Sequence, residues 1–398
     1  MQLAKRLSKI KPSPTMVITA KAQSLRAQGL DVIGFGAGEP DFDTPENIKQ
    51  AGINAIKQGF TKYTGVGGIN ELKDALIAKL KKDNHLTYTR DQIIVSNGGK
   101  HSLYNIAQAL FDPGDEVIIP APYWVSYPDQ VLLNDAVPVI LETTDKMGFK
   151  ITPSQLEKAV TPKTKAFILN SPSNPTGAAY SEKELEALAA ILVKHHVWCI
   201  SDEIYEKVIY GHFKHVSIAS FNEKIKNLTL VVNGASKVYS MTGWRMGFAA
   251  GPKEIIDAMT TIQGQVTSNI CSITQKACVE AYTGPQDMVT TMVKEFEKRR
   301  NYIVGKLNAI EGMTCLNPEG AFYVFPNVSR LFGRKTPDGK IISNSADFSN
   351  YLLDKHLVAV VSGEGFGAEG YIRLSYATSQ TNIEKGLDRI EKAVKELR

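Results

Sequence analysis

The chain lacks most of the features that would set it apart from an ordinary globular enzyme. Only four cysteines occur in 398 residues, at Cys199, Cys271, Cys278 and Cys315, and none forms a CxxC pair. No Cys/His cluster has zinc spacing, which argues against a disulfide scaffold or a zinc module and suits a reducing compartment. Cys199, in the apolar run Val197-Trp198-Cys199-Ile200, reads as a buried, inert thiol. No apolar run reaches the ~20 residues needed to cross a bilayer. No polybasic block stands out, and 46 basic against 41 acidic residues leave a net charge of +5. A nucleic-acid or membrane-surface role therefore has little support. Internal repeats and low-complexity tracts are missing as well. No acid precedes Asp31, whereas Lys5, Arg6, Lys9, Lys11, Lys21 and Arg26 all do. Transit peptides share that charge pattern. Lysine outnumbers arginine there, however, and Lys11-Pro12-Ser13-Pro14 breaks any single amphipathic helix. The segment reads as an N-terminal arm of the mature protein, with cytoplasm as the expected compartment.

What is present is a chain long enough for a large core and two domains. Its 43% hydrophobic and 22% charged residues are ordinary for a globular enzyme. Asp31–Gly36 reads as a short strand entering a glycine-rich turn. Met16–Gln28, Pro45–Gln58 and Ile69–Asn84 read as helices. Short apolar strands then alternate with amphipathic helices. The strands are Gln92–Ser96, Glu116–Pro120, Pro138–Glu142, Ala166–Asn170, Trp198–Ser201 and Leu228–Asn233; the helices include His101–Leu110, Trp124–Leu133, Ser154–Val160 and Ser181–His195. Such alternation predicts an α/β fold with a mostly parallel sheet between helices. A long helix over Asp287–Ile310 changes the texture. Strands at Ala321–Pro326, Val358–Val361 and Tyr371–Ser375, a helix Ala346–Lys355 and a last helix from Asn382 predict a smaller α+β domain, and Arg334–Asn344 reads as an exposed turn. The expected division is 1–45 as arm and part of the small domain, 46–290 as the large domain, and 291–398 as the small one.

Four motifs fall at predicted strand ends, where open α/β sheets place ligands. Ser96-Asn97-Gly98-Gly99-Lys100 joins a strand to a helix, so its free N–H groups and the helix start suit an anion, though a plain turn has the same look. Asn170-Ser171-Pro172-Ser173-Asn174-Pro175-Thr176-Gly177 is a stiff loop in which Asn174 offers donor and acceptor without charge; an Asn-capped turn is the competing reading. In Ser201-Asp202-Glu203-Ile204-Tyr205, a strand-end carboxylate in apolar surroundings asks for a cation, such as a protonated pyridine nitrogen. Tyr205 could then meet a phenolic oxygen on the same ring, while the alternative is that Asp202 caps the next helix. In Ser236-Lys237, followed by Thr242-Gly243-Trp244-Arg245-Met246-Gly247, a desolvated lysine can form an imine, and Arg245 can grip a phosphate through two parallel bonds. Neither Gly34-Phe35-Gly36-Ala37-Gly38 nor Gly363-Glu364-Gly365-Phe366-Gly367 gives GxGxxG at a strand-to-helix junction, so a dinucleotide fold is disfavoured. The histidines, including His101 and His195-His196, show no triad or metal spacing, and no metal is expected.

Taken together, these four motifs, the last three of them in the family's order and spacing, resemble the class I aminotransferases, pyridoxal 5'-phosphate enzymes of fold type I. The resemblance runs nearly end to end. Gly36-Ala37-Gly38-Glu39-Pro40-Asp41-Phe42 and Pro122-Tyr123-Trp124-Val125-Ser126-Tyr127-Pro128 are similar to the bacterial aspartate aminotransferase branch. The resemblance implies a seven-stranded, mostly parallel sheet and a homodimer with active sites at the subunit interface. It implies Lys237 as the imine-forming lysine, Asp202 as the partner of the ring nitrogen, and Tyr205 and Asn174 as contacts of the ring oxygen. Trp124 would stack on the ring; Gly99, Lys100, Ser236 and Arg245 would hold the phosphate, joined by Tyr63 from the neighbouring subunit. Arg373, in Tyr371-Ile372-Arg373-Leu374-Ser375-Tyr376, would grip the substrate α-carboxylate and Gly38 would line the pocket. One departure stands out. Animal-type aspartate enzymes bind the side-chain carboxylate with an arginine from the neighbouring subunit, but the stretch near Gln263–Asn269 contains none. In the bacterial branch a lysine after the glycine pair does that work, and Lys100 occupies its place. Lys11 matches a position linked to prephenate use. The implied activity is ping-pong transamination between L-aspartate and 2-oxoglutarate, with prephenate as a further acceptor. Alternatives are another fold type I enzyme (a C–S lyase or an alanine-type, aromatic or broad-specificity aminotransferase), a regulator built on such a domain, or a generic nucleotide-binding protein. The regulator is disfavoured because too few residues precede Asp31 for a DNA-binding module.

Overall fold

A computed structural model describes residues 3–398. Its centre is a seven-stranded sheet. Its strands are β1 (Ile93–Ser96), β2 (Glu116–Ala121), β3 (Val137–Glu142), β4 (Thr164–Asn170), β5 (Trp198–Asp202), β6 (Thr229–Gly234) and β7 (Gly247–Ala250). The spatial order is β1-β7-β6-β5-β4-β2-β3. Strand β7 runs antiparallel to both β1 and β6, and the remaining pairings are parallel. Parallel strands are covered on both faces, so their sequences are apolar throughout rather than alternating. The pleat still divides them. Val117 and Ile119 join Ile168, Ile200 and Val232 in one core cluster, while Ile118, Phe167, Leu169 and Cys199 enter another.

Helix boundaries follow local chemistry. Ser181 and Glu184 form a capping box before the helix Glu182–His195, and His196 ends it in the left-handed conformation at φ 54°. The 23-residue helix Asp287–Ala309 carries Phe296 and Ile303 into a further core with Phe322, Ile372 and Leu387. That core also takes in Ile33 and Phe35 from the N-terminal region, because Ile33–Gly34 pairs in parallel with Val358–Ala359.

Three sequence expectations need correction. Val358–Val361 is two strands serving two sheets: Val361–Ser362 pairs antiparallel with Ile372–Ser375. Of Ala321–Pro326 only Tyr323–Val324 is strand. Trp124 precedes its helix, which spans Ser126–Leu132; the Tyr123 N–H is bonded to the Phe366 carbonyl and not to a helical turn. Strand β7 and the helices Lys253–Val266 and Ser272–Thr283 are additions. Four residues, Gly-Phe-Ala-Ala, of which only Phe248 is large, carry too weak an apolar signal to separate β7 from the loop before it.

Strand β7 is packed closely against the start of the helix Gly99–Leu110. A Cβ added at Gly247 would sit 2.2 Å from the Gly99 nitrogen. Gly247→Ala must push helix and sheet apart, at a cost of roughly 1–3 kcal/mol or more from overpacking. The expected outcome is a lower urea midpoint for the variant; an unchanged midpoint would contradict this packing.

Candidate active site

The C-terminal ends of β1, β4, β5 and β6 converge on one cavity of about 310 Å³. Every site residue expected from the sequence lines it except Tyr63 and Lys11. Tyr63 is 90% exposed and borders a separate depression with Asn269 and Cys271. Lys11 is exposed, while its neighbours Ser13, Thr15 and Met16 reach the cavity wall.

Asp202 ends β5 and is buried. Tyr127 donates to its Oδ2 at 2.7 Å and the Ile204 N–H donates to its Oδ1 at 3.2 Å. The carboxylate therefore both orders the following turn and faces the cavity. Among the described residues it has no ion-pair partner. Burial pushes its pKa up to about 6, with Tyr127 and the Ile204 N–H opposing.

Lys237 follows β6, and its ammonium donates to the Gly38 carbonyl at 2.6 Å. Burial lowers its pKa to about 8; Glu39 pulls the other way, and Arg245 and Arg373 add to the lowering. A free amine is thus available near neutral pH. Arg373 is 1% exposed. Its Nη1 donates to Asn174 Oδ1 at 2.9 Å and its Nη2 to the Gly36 carbonyl at 2.7 Å. Its Nε has no partner, and no carboxylate neutralises it among the described residues. Burial lowers its pKa, opposed by Tyr323 and Tyr205.

Lys100 lies with its Nζ 4.8 Å from the Trp124 ring centre. Burial and then Arg245 lower its pKa, while Asp129 opposes them. Arg245 is held by the Thr242 carbonyl at 2.9 Å and reaches the Asn97 carbonyl at 3.4 Å. Gly98, at φ 87°, is where the chain turns into the helix Gly99–Leu110, and a Cβ there would lie 2.5 Å from Arg245 Nη2. Glycine lets the guanidinium approach the helix start, which places a fixed cation beside free N–H groups.

Two tyrosines were not legible as site residues. Tyr127 supports Asp202 across the sheet end, and Tyr323 shares a hydrogen bond of 2.8 Å with the Tyr205 hydroxyl. Tyr127 lies inside a motif already singled out, but nothing in its spacing tells which strand end it meets. Behind Asp202, Glu203 and Glu206 gather with His215. Glu206 is paired with Lys79, which holds its carboxyl down at about 2 against the effect of burial. Glu203 accepts from Ser201 and Ser217 at 2.9 and 2.6 Å.

The residues fit one kind of occupant. A buried carboxylate without a counter-ion suits a protonated ring nitrogen. A guanidinium beside a glycine-framed helix start suits a phosphate, and a depressed lysine suits imine formation with an aldehyde. The fold and cavity together define a pyridoxal 5'-phosphate enzyme of fold type I. The chain belongs to the aminotransferase class I and II family, whose model matches residues 30–390. It is 50% identical over 392 residues, 98% of both chains, to a probable aspartate/prephenate aminotransferase of Rickettsia bellii. An aspartate aminotransferase of Geobacillus stearothermophilus is 51% identical over 395 residues, again 98% of each. Among solved structures, the aspartate aminotransferase from Rhizobium meliloti superposes with a TM-score of 0.97 at 46% identity, covering 100% of both chains. That of Thermus thermophilus with maleate gives 0.93 at 42%, covering 99% of this chain and 100% of its own.

The raised pKa of Asp202 has a consequence for stability. The folded state holds this proton more tightly than the unfolded chain, whose value is near 3.8. Asp202 therefore costs nothing below that pH, costs more as pH rises to about 6, and costs a constant amount above it. Asp202→Asn should stabilise the cofactor-free protein at pH 8 by roughly 2–3 kcal/mol relative to wild type, with the difference fading towards pH 4. Paired urea titrations check this; a variant less stable than wild type at pH 8 would refute it.

Proposed function

We propose that the enzyme moves an amino group between L-aspartate and 2-oxoglutarate, giving oxaloacetate and L-glutamate in two alternating half-reactions. With Lys237 given to the imine and Arg245 to the phosphate, the observation that carries this reading is the two cavity cations that remain, Arg373 and Lys100, neither of which has a carboxylate partner among the described residues. Two unpaired cations in one cavity match a substrate with two carboxylates. Arg373 would take the α-carboxylate, since its planar fork fits two oxygens at once; Lys100 would take the distal one. The names of the relatives support the same substrate, and those naming prephenate support that acceptor as well.

When bound, the cofactor supplies an electron sink for the bond broken at the substrate's α carbon. The chain does the rest. Asp202 would hold a proton at the ring nitrogen, and Asn174 and Tyr205 would donate to the ring oxygen. Trp124 would cover the ring, and Ser236, Arg245 and the Gly99 and Lys100 backbone would hold the phosphate. The Lys237 amine would carry the proton away from the α carbon, general acid–base work worth roughly 10²–10⁴-fold. Asn174 and Gly36 fix the guanidinium of Arg373, so that the α carbon is presented to Lys237.

The homodimer belongs to the same proposal. Its support is that Tyr63, though 90% exposed, is the tyrosine expected at the neighbouring phosphate. The division into 1–45, 46–290 and 291–398 is supported by the core that joins Ile33 and Phe35 to residues 292–397, although Tyr205, Val208 and Tyr210 also enter that core and the helix Asp287–Ala309 spans the second boundary. A cytoplasmic location is supported by cysteines that are all free, three of them buried.

The test is a spectral half-reaction with aspartate, glutamate, alanine and aromatic amino acids. Aspartate should convert the bound cofactor to its amino form, and failure to do so would end the specificity claim. Lys237→Ala should abolish turnover. Arg373→Lys should raise KM for aspartate by roughly 10- to 100-fold through lost charged hydrogen bonds. Lys100→Ser should raise KM for aspartate while leaving that for alanine nearly unchanged; equal effects on both would remove Lys100 from the distal subsite.

A further inference from the structure

Tyr323 lines the cavity, and the reading above gives it no part. It lies on the short strand Tyr323–Val324 with its side chain fully buried. Its hydroxyl is 2.8 Å from that of Tyr205, and the two rings meet edge to face at 5.7 Å. Its ring face is 4.7 Å from the guanidinium carbon of Arg373. One side chain thus touches both the tyrosine expected at the cofactor ring and the arginine expected at the substrate carboxylate. Gly38 leaves room for it: a Cβ there would stand 2.9 Å from the Tyr323 hydroxyl.

We infer that Tyr323 is a positioning residue that couples the two subsites: its hydroxyl donates to the Tyr205 oxygen, and its ring holds the guanidinium of Arg373. The inference rests on the proposed placement of the cofactor's ring oxygen against Tyr205. The two hydroxyls share a single hydrogen bond, so its direction decides which proton remains free. If Tyr205 donated to Tyr323, its proton would be unavailable to the cavity. Donation from Tyr323 leaves the Tyr205 proton free and polarises its O–H bond, which strengthens it as a donor. Acidity favours this direction. Burial raises both phenols; Arg373, which lies over the Tyr323 ring at 4.7 Å, is the leading influence pulling Tyr323 back down, whereas on Tyr205 it acts only after the neighbouring Tyr323. The more acidic hydroxyl is the better donor. Arg373, Asp202 and Glu39 are the charged groups that act on this pair. The cation–π contact with Tyr323, with a second from Phe366 at 5.0 Å, also steadies a guanidinium whose Nε has no acceptor.

The test compares wild-type holoenzyme with Tyr323→Phe, Tyr323→Leu and Tyr205→Phe. Two quantities are read: the pH midpoint of the bound cofactor's absorption, and the Kd for succinate, a dicarboxylate with no amino group to transfer. Weaker donation by Tyr205 leaves charge on the ring oxygen less stabilised, so the proton shared with the lysine linkage is released at higher pH. Tyr323→Phe should raise the midpoint by roughly 0.3–1 unit, in the same direction as Tyr205→Phe, and leave the succinate Kd within about twofold. Tyr323→Leu should raise the midpoint and also weaken succinate by roughly 3- to 30-fold, as expected for a lost cation–π contact. A shift in Tyr205→Phe with none in Tyr323→Phe overturns the inference while sparing the cofactor placement. Equal succinate affinity in Tyr323→Phe and Tyr323→Leu overturns the guanidinium clamp. No shift in Tyr205→Phe removes the placement itself, and the inference with it.

Discussion

A carboxylate buried at the end of a strand without a counter-ion is unstable on its own, and this site is arranged around that cost. Asp202 keeps two hydrogen-bond donors but no cation, and burial raises its pKa to about 6. Across the cavity Arg373 is the mirror case, a buried cation with two neutral acceptors and no anion. Each charge is only partly compensated by the protein, so each adds to the affinity for a ligand that completes it. The neighbouring Glu206 shows what full compensation does. Paired with Lys79 and bonded by Asn84, its carboxyl sits at about 2 and takes no part in the cavity.

The sheet makes this arrangement possible because its covered faces leave only strand ends for polar chemistry. Ser96, Asn170, Asp202 and Gly234 close β1, β4, β5 and β6 at one edge. Lys237 and Arg245 lie on the loop between β6 and β7, and the antiparallel return of β7 brings Gly247 against Gly99. The anion-binding helix start and the arginine beside it are therefore parts of one packing contact. The second core anchors Arg373 and Tyr323 on adjacent strands through the Leu374–Val324 register. It also carries the N-terminal segment, whose Gly36 and Gly38 carbonyls meet Arg373 and Lys237.

Much of this was readable in the residues. The alternation of apolar strands and amphipathic helices defined the fold class because period and length differ so strongly between the two. Asp202, Lys237, Arg245 and Asn174 were legible because each is a polar group at a strand end, where a buried position needs a reason. Boundaries were less legible. Trp124 was read into a helix that begins at Ser126, because a local pattern cannot show that the Tyr123 N–H is bonded to Phe366, far along the chain.

The sequence by itself determined which groups carry charge, where a glycine pair joins a strand to a helix, and that one lysine stands among acceptor and cationic neighbours. Tertiary structure alone decided what each group meets. Tyr127 against Asp202 spans 75 residues, Tyr205 against Tyr323 spans 118, and Asn174 against Arg373 spans 199. Hydrogen bonds of this kind have no periodicity and no fixed spacing. They exist only because the turn after β5, the short strand at Tyr323 and the strand carrying Arg373 all enter one core, which takes in Tyr205, Val208, Tyr323 and Ile372. The chemistry was therefore written in residue types, while the coupling between them was set by packing.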